Sequence, residues 1–212
     1  GDFKNAQEVG LKLPETDSVT ELLPMNEQQR VKYSRIRSEY EQIVTSRNAI
    51  KEKYKALGLL QKMGLVALHP ELEIQPTDGW SWTSAGRVNG ILASPKMSRA
   101  VEIVKSRPDC GHIIFVDNVA VHRWLFDLLV QSGIPAERIA ILNAERAPTP
   151  LDRQNIAEGF NGVSAIIDPA TGRIEQEGIP PKYDVVIANA VAYEGIDLQI
   201  RTCVVIHLDL PY

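Results

Sequence analysis

Four short apolar runs, each turning polar at its end, constrain the fold of this chain more than any other feature. They are "HIIFVDN" at 112–118, "RIAILN" at 138–143, "YDVVIAN" at 183–189 and "TCVVIHLDL" at 202–210. A continuous apolar run of this length suits a strand buried on both faces of a parallel sheet. Between the first two runs, Val121, Trp124, Leu125, Leu128 and Leu129 form an i, i+3, i+4, i+7, i+8 stripe, closed by Gly133 and Pro135. That is the pattern of an amphipathic helix with a glycine stop. After the second run, Thr149-Pro150 with Asp152 predicts an N-cap, a proline in the first turn and a helix using Ile156 and Phe160, stopping near Gly162. Alternating strands and helices imply right-handed crossovers and an α/β fold, a mostly parallel sheet with helices on both faces.

"VSAIIDPATGRIEQEG" at 163–178 breaks the alternation. It predicts a hairpin turning at Asp-Pro-Ala-Thr-Gly, inserted within 163–182. Upstream, Met97, Ala100, Val101 and Val104 predict one more amphipathic helix.

The first part of the chain differs. Residues 1–24 are polar and irregular, and 25–70 read as a helical, basic segment preceding the α/β domain of 96–212. Asn26 with Gln29 forms a capping-box pattern, and Tyr33, Ile36, Tyr40, Ile43 and Val44 recur at helical spacing. Ile50, Tyr54 and Leu57 before Gly58 predict a second helix, and Leu59–Leu68, stopped by His69-Pro70, a third. From Gln28 to Lys62 nine Lys or Arg face three Glu. Such a run is either a solvated helix surface or a face that meets phosphates. Residues 71–95 read as an irregular linker. Its Trp80 and Trp82 either pin a loop to a core or stack on a base.

Composition narrows the class. The chain has 212 residues, 44% of them hydrophobic, a net charge of −4 and two cysteines without C-x-x-C spacing. The length suits one domain, or one with an appendage. The charge disfavours a protein that coats nucleic acid over its whole surface, but leaves room for a local basic face. Cysteine usage favours a reducing, intracellular setting, so the expected location is cytoplasmic, with Cys203 a core residue and no metal site. No apolar run approaches membrane-spanning length, so no membrane partner is expected.

In open parallel sheets, ligands bind beyond the carboxyl ends of the strands. Here those ends are Asp117-Asn118, Asn143-Ala144-Glu145, Asn189-Ala190 and Asp209. They either face a ligand together or simply begin loops. Gly195-Ile196-Asp197 is more pointed, because glycine permits close backbone approach and the carboxylate can accept from sugar hydroxyls or a guanidinium. The chain contains no G-x-x-x-x-G-K-[ST] phosphate loop, no G-x-G-x-x-G and no nucleophile elbow.

These segments, in this order, resemble the second RecA-like lobe of superfamily-two helicases and translocases. "HIIFVDN" resembles motif IV. "LDRQNIAEGFNG" resembles the arginine-led helix ending in Phe-Asn. "VVIANAVAYEGIDLQ" resembles motif V, and "VVIHLDLPY" the strand after it. "LPMNEQQRVKYSRIR", "LLQKMGLVALHPEL" and "SPKMSRAVEIV" are similar to the Swi/Snf-like branch, and the Tyr-Glu-Gly-Ile-Asp stretch to helicase or methylase-helicase proteins of phages, plasmids and bacteria. The resemblance covers roughly residues 20–212.

It implies a C-terminal lobe of an ATP-dependent DNA helicase or translocase. The implied partners are DNA and a first RecA-like lobe. ATP and Mg2+ would be bound mainly by that first lobe, and no catalytic residue is expected within these residues. The implied nucleotide-binding residues are Gly195 and Asp197, and the implied nucleic-acid contacts are Asp117, Asn118, Arg153 and Asn189. Asn189 stands where the family usually has Thr, and Glu194 is assigned no contact. Arg153 is either a phosphate contact or a structural residue. The first residue is Gly1 and the chain stops at Tyr212 before any Q-x-x-G-R motif VI, so a piece of a larger ATPase, inactive alone, is expected. Two other readings are a Rossmann-type small-molecule enzyme, such as a methyltransferase lobe, and a degenerate RecA-like lobe kept as an interaction scaffold.

Overall fold

The structure, a computed structural model, describes residues 17–73 and 94–209. Two helices come first, α1 (Glu27–Val44) and α2 (Lys53–Leu68). The capping box at Asn26 forms. Its side chain accepts from the Gln29 N–H and its own N–H donates to Gln29 Oε1. Ile36 and Ile43 of α1 pack on Ala56, Leu59, Met63 and Val66 of α2. The helices thus form a small hydrophobic unit of their own, with Tyr33 and Tyr40 at its margin.

The expected break at Gly58 does not occur. One helix runs through it, and Ile50, Tyr54 and Leu57 lie exposed. The physical reason is that the strong helix formers around Gly58 and Gly64 outweigh a cost of roughly 1 kcal/mol for each glycine. Leu59, Met63 and Val66 then supply the buried stripe instead.

The α/β unit follows. Its elements are α3 (Pro95–Ser106), β1 (Gly111–Phe115), α4 (Val119–Gln131), β2 (Ile139–Leu142), α5 (Pro150–Asn161), β3 (Val163–Ile167), β4 (Ile174–Gly178), β5 (Val185–Ala188), a single turn of helix α6 (Ala190–Tyr193) and β6 (Thr202–His207). The main sheet is wholly parallel, in the order β2-β5-β1-β6, and β3 pairs with β4 in an antiparallel hairpin. The register sets Phe115 beside Ala188 and His207, so the carboxyl ends of β1, β5 and β6 form one rim.

Each face of the sheet carries a core. On one face, Trp124, Leu125 and Leu129 of α4 and Met97, Ala100 and Val104 of α3 cover Ile114, Val185 and Ile187. On the other, Ile156 and Phe160 of α5, with Leu198, cover Ile113, Leu142 and Val186. The end of α2 and the 3-10 turn after it (Pro70–Glu73) join the first core through Leu68 and Leu72. There the Ser94 hydroxyl donates to the Leu68 carbonyl, and His69 packs on Trp124 at 4.3 Å.

Gly111 is required by close approach. A Cβ built there would lie 2.6 Å from the Arg201 carbonyl oxygen and 2.7 Å from the Phe160 ring. Beside it, Asp184 clasps the amino ends of three strands. Its carboxylate accepts from Arg138 at 2.7 and 2.6 Å and from Arg201 at 3.1 Å. Arg201 also donates to the carbonyls of Phe160 and Tyr183.

Cys203 departs from expectation. It lies exposed, joined to the buried Cys110 with their Cα atoms 5.8 Å apart. The strand β6 is a sheet edge, and Cys203, Val205 and His207 on one of its faces are exposed. An apolar strand pattern reports burial only when both faces are covered.

Candidate nucleotide and nucleic-acid site

The rim is built by backbone pairing and closed by side chains. The Val116 N–H donates to the Ala188 carbonyl and the Leu208 N–H to the Phe115 carbonyl, so the polar residues that follow emerge side by side. The Asp209 carboxylate accepts from the Asp117 N–H at 3.0 Å. Burial pushes the Asp209 carboxyl above the usual range, with the nearby Lys96 ammonium pulling the other way. Burial likewise lowers Lys96, which donates to the Leu208 carbonyl at 3.1 Å. Asp117 itself is exposed.

Asn118 and Asn189 occupy equivalent places, each the N-cap of the helix after its strand. Asn118 Oδ1 accepts from the Ala120 N–H at 2.9 Å, and Asn189 Oδ1 from the Ala192 N–H at 3.1 Å. Capping uses the side-chain oxygen and leaves the Nδ2 donors for another partner. Arg153 stands at the start of α5, beyond the end of β2, and its Nε donates to the Ala147 carbonyl at 3.1 Å. That contact fixes the β2–α5 loop with one of the guanidinium's five donors.

Asn143 differs from the other strand ends. It is 2% exposed, and its Nδ2 donates to His122 Nδ1 at 2.9 Å while Oδ1 accepts from the N–H groups of Glu145 and Arg146. His122 Nε2 in turn donates to the Val116 carbonyl at 2.8 Å. Only the neutral imidazole with its proton on Nε2 satisfies both contacts. Burial holds the His122 pKa below its ordinary value, although the Val116 carbonyl opposes that. The end of β2 is therefore braced to the end of β1 rather than offered to a ligand.

Gly195 and Asp197 lie apart from this rim, over the α5 face of the sheet. Gly195 has φ +80°, the left-handed region that glycine enters without penalty, and nothing lies within 4 Å of a Cβ built there. The turn is held from below. Asn161, the last residue of α5, donates to the Asp197 carbonyl at 2.7 Å, Leu198 is fully buried, and the Thr202 hydroxyl donates to the Leu198 carbonyl. Asp197 Oδ1 accepts from the Gln199 N–H at 2.9 Å, leaving its second oxygen for another partner in an exposed carboxylate. An open glycine backbone beside an exposed carboxylate fits a hydroxyl-bearing sugar. It does not fit a triphosphate, which needs a cradle of N–H groups and a cation.

Two contributors were not singled out from sequence. Asn161 anchors the turn, signalled only by the Phe-Asn pair. An aromatic group joins turn and rim: Phe115 stacks on His207 at 5.1 Å and meets Tyr193 edge-on at 4.9 Å. Burial and the Asp197 charge both raise the Tyr193 pKa. No described group of three or more His, Cys, Asp or Glu could hold a metal, and no described helix is long and apolar enough to cross a membrane. Trp80 and Trp82 lie outside the described residues.

A wholly parallel sheet covered on both faces, with polar strand ends forming one rim, defines a RecA-like α/β lobe. Comparison with solved structures places that lobe more closely. The fold is that of the C-terminal domain of the Sulfolobus solfataricus SWI2/SNF2 ATPase, with TM-score 0.60 and 20% identity over 87% of this chain and 68% of that one. The SWI2/SNF2 ATPase core domain of the same organism matches with TM-score 0.56 and 15% identity, over 86% of this chain and 37% of that one. The Swi/Snf-like resemblance read from the motifs is thereby borne out at the level of the fold. No family model matches the sequence, and no curated protein matches it.

Proposed function

We propose that this chain is the C-terminal RecA-like lobe of a DNA-dependent ATPase of the Swi/Snf-like branch. One observation carries the reading: the segments that resemble motifs IV and V occur, in order, on a fold shared with a SWI2/SNF2 ATPase C-terminal domain over 87% of the chain. In this reading Gly195 and Asp197 meet the nucleotide ribose. Asp117, Asn118, Asn189 and Arg153 line the nucleic-acid track, with the asparagine Nδ2 groups and the remaining Arg153 donors turned to phosphates. Asp117 has no donor to offer a phosphate, and its role is to shape the rim through its N–H contact with Asp209. ATP and Mg2+ are held mainly by a first lobe, which supplies the phosphate loop and the metal-binding acids. The ATP would bring the transferable phosphoryl group. This chain's residues orient the sugar and couple the turn to the rim through Tyr193 and Phe115.

Measured by phosphate release, the 212-residue chain should hydrolyse no ATP with or without DNA. A protein joining it to a first lobe should do so when DNA is added. Robust DNA-stimulated hydrolysis by the 212-residue chain alone would overturn the proposal.

A further inference from the structure

The outer edge of β2 carries a feature the ATPase reading leaves unused. The strand pairs only with β5, and no described residue pairs with its other side. The Arg138 carbonyl accepts from the Asp184 N–H, so Arg138, Ala140 and Leu142 direct their main-chain groups at β5. By alternation, Ile139 and Ile141 direct theirs outward. The Ile139 N–H is taken by the Ala136 carbonyl. The Ile139 carbonyl and both main-chain groups of Ile141 remain as an edge for pairing.

A cavity of about 420 Å³ straddles this edge. On the α4 side it is lined by Phe126 with Ile139 and Ile141, and on the α5 side by Ala140 with Ile156. Apolar floors on both sides of an open edge suit a ligand whose side chains alternate between two faces, which is an extended strand.

The charge around the groove points to the ligand's sign. Arg123, Arg146 and Lys182 line it against one acid, Asp152. The Asp152 carboxylate is committed to its capping box, accepting from the N–H and hydroxyl of Thr149. Arg146 and Lys182 are exposed and form no salt bridge with a described residue, whereas Arg123 is shared with Asp127 at 3.4 Å. In a chain of net charge −4, this is a local cationic rim around an apolar slot.

We propose that the groove at the β2 edge docks an extended acidic segment of a partner protein by strand addition. Apolar side chains of the segment enter the two floors, and its carboxylates meet Arg146, Lys182 and Arg123. A strand of four residues offers few main-chain bonds, so the affinity expected is modest, with a Kd on the order of 10–100 μM. The inference does not depend on ATP hydrolysis.

The test uses the 212-residue chain and a fluorescein-labelled peptide of about eight residues, a central run of valines that reaches both faces flanked at each end by glutamates, read by fluorescence anisotropy. Saturable binding is expected, and its absence up to about 1 mM would overturn the proposal. Two N-methylated versions, one for each set of alternate amides, separate edge pairing from simple charge attraction. One should lose about tenfold or more and the other should bind nearly as well. Equal affinity of both would remove the strand-addition geometry. The double variant R146E/K182E alters exposed side chains only and should weaken binding about tenfold with an unchanged melting curve. Unchanged binding by that variant would refute the charge assignment. Displacement of the peptide by a single-stranded oligonucleotide of equal or better affinity would assign the cations to nucleic acid and overturn the proposal too.

Discussion

Replacing Asp184 by alanine tests how the sheet is held at the end opposite the rim. The carboxylate accepts three charge-assisted hydrogen bonds, two from Arg138 on the β2 side and one from Arg201 before β6. Fully buried bonds of this type are worth roughly 1.5–3 kcal/mol each. Here the side chains are 21–32% exposed, and both arginines keep carbonyl partners after the substitution. Discounted for solvent, the total loss is about 2–3 kcal/mol. For a chain of this length that lowers Tm by roughly 5–10 °C.

The pH dependence supplies a second check on the same variant. Burial pushes the Asp184 carboxyl up, but the two arginines overcome it and hold the pKa below the ordinary value. A depressed folded pKa gives stability that is present above the unfolded pKa, near 3.9, and is lost as pH falls through the folded value. The stability gap between native chain and Asp184→Ala, measured by urea denaturation, should be full at neutral pH. It should close as the pH falls below about 4. A gap under about 0.5 kcal/mol at neutral pH, or one that persists undiminished in acid, would refute the clasp.

Two further outcomes follow from the braced rim and the basic helices. His122→Leu strands the Asn143 amide and the Val116 carbonyl and should cost about 2–4 kcal/mol. Because burial depresses the folded His122 pKa, the native chain should lose stability as pH falls below about 6.5, and the variant should lack that component. Arg30, Arg47, Lys51, Lys53 and Lys62 form no salt bridge to a described residue, whereas Arg37 and Lys55 pair with Glu41 and Glu39. Duplex DNA should therefore bind weakly, with log affinity falling against log salt at a slope of about −2 to −4, and a flat salt response would remove the phosphate contacts.

What the sequence made legible were features set by neighbours in the chain. Thr149 and Asp152 form their capping box, Gly133 follows the α4 stop with φ +105°, and "HIIF" becomes a buried strand, because each depends on local geometry. The features that stayed hidden depend on distant partners. His122 meets Asn143 21 positions away, and Asp184 meets Arg138 46 positions away, so neither pairing leaves a periodic trace. Ile50, Tyr54 and Leu57 keep helical spacing yet are exposed, since spacing defines a face but not whether anything covers it. Cys203 misled for the same reason, lying on a strand whose neighbour is on one side only. The turn at Gly195 was visible as a glycine before an acid, but its anchor, Asn161, was not.

The central claim is that the turn at Gly195–Asp197 completes a nucleotide site shared with a first lobe. Its most direct test is DNA-stimulated ATP hydrolysis by a protein containing both lobes, native and with Asp197→Asn. The amide keeps the oxygen that accepts from the Gln199 N–H, so the turn persists while the carboxylate is lost. A fall of about tenfold or more in turnover, with an unchanged melting temperature, is predicted. Undiminished DNA-stimulated turnover in that variant would contradict the account.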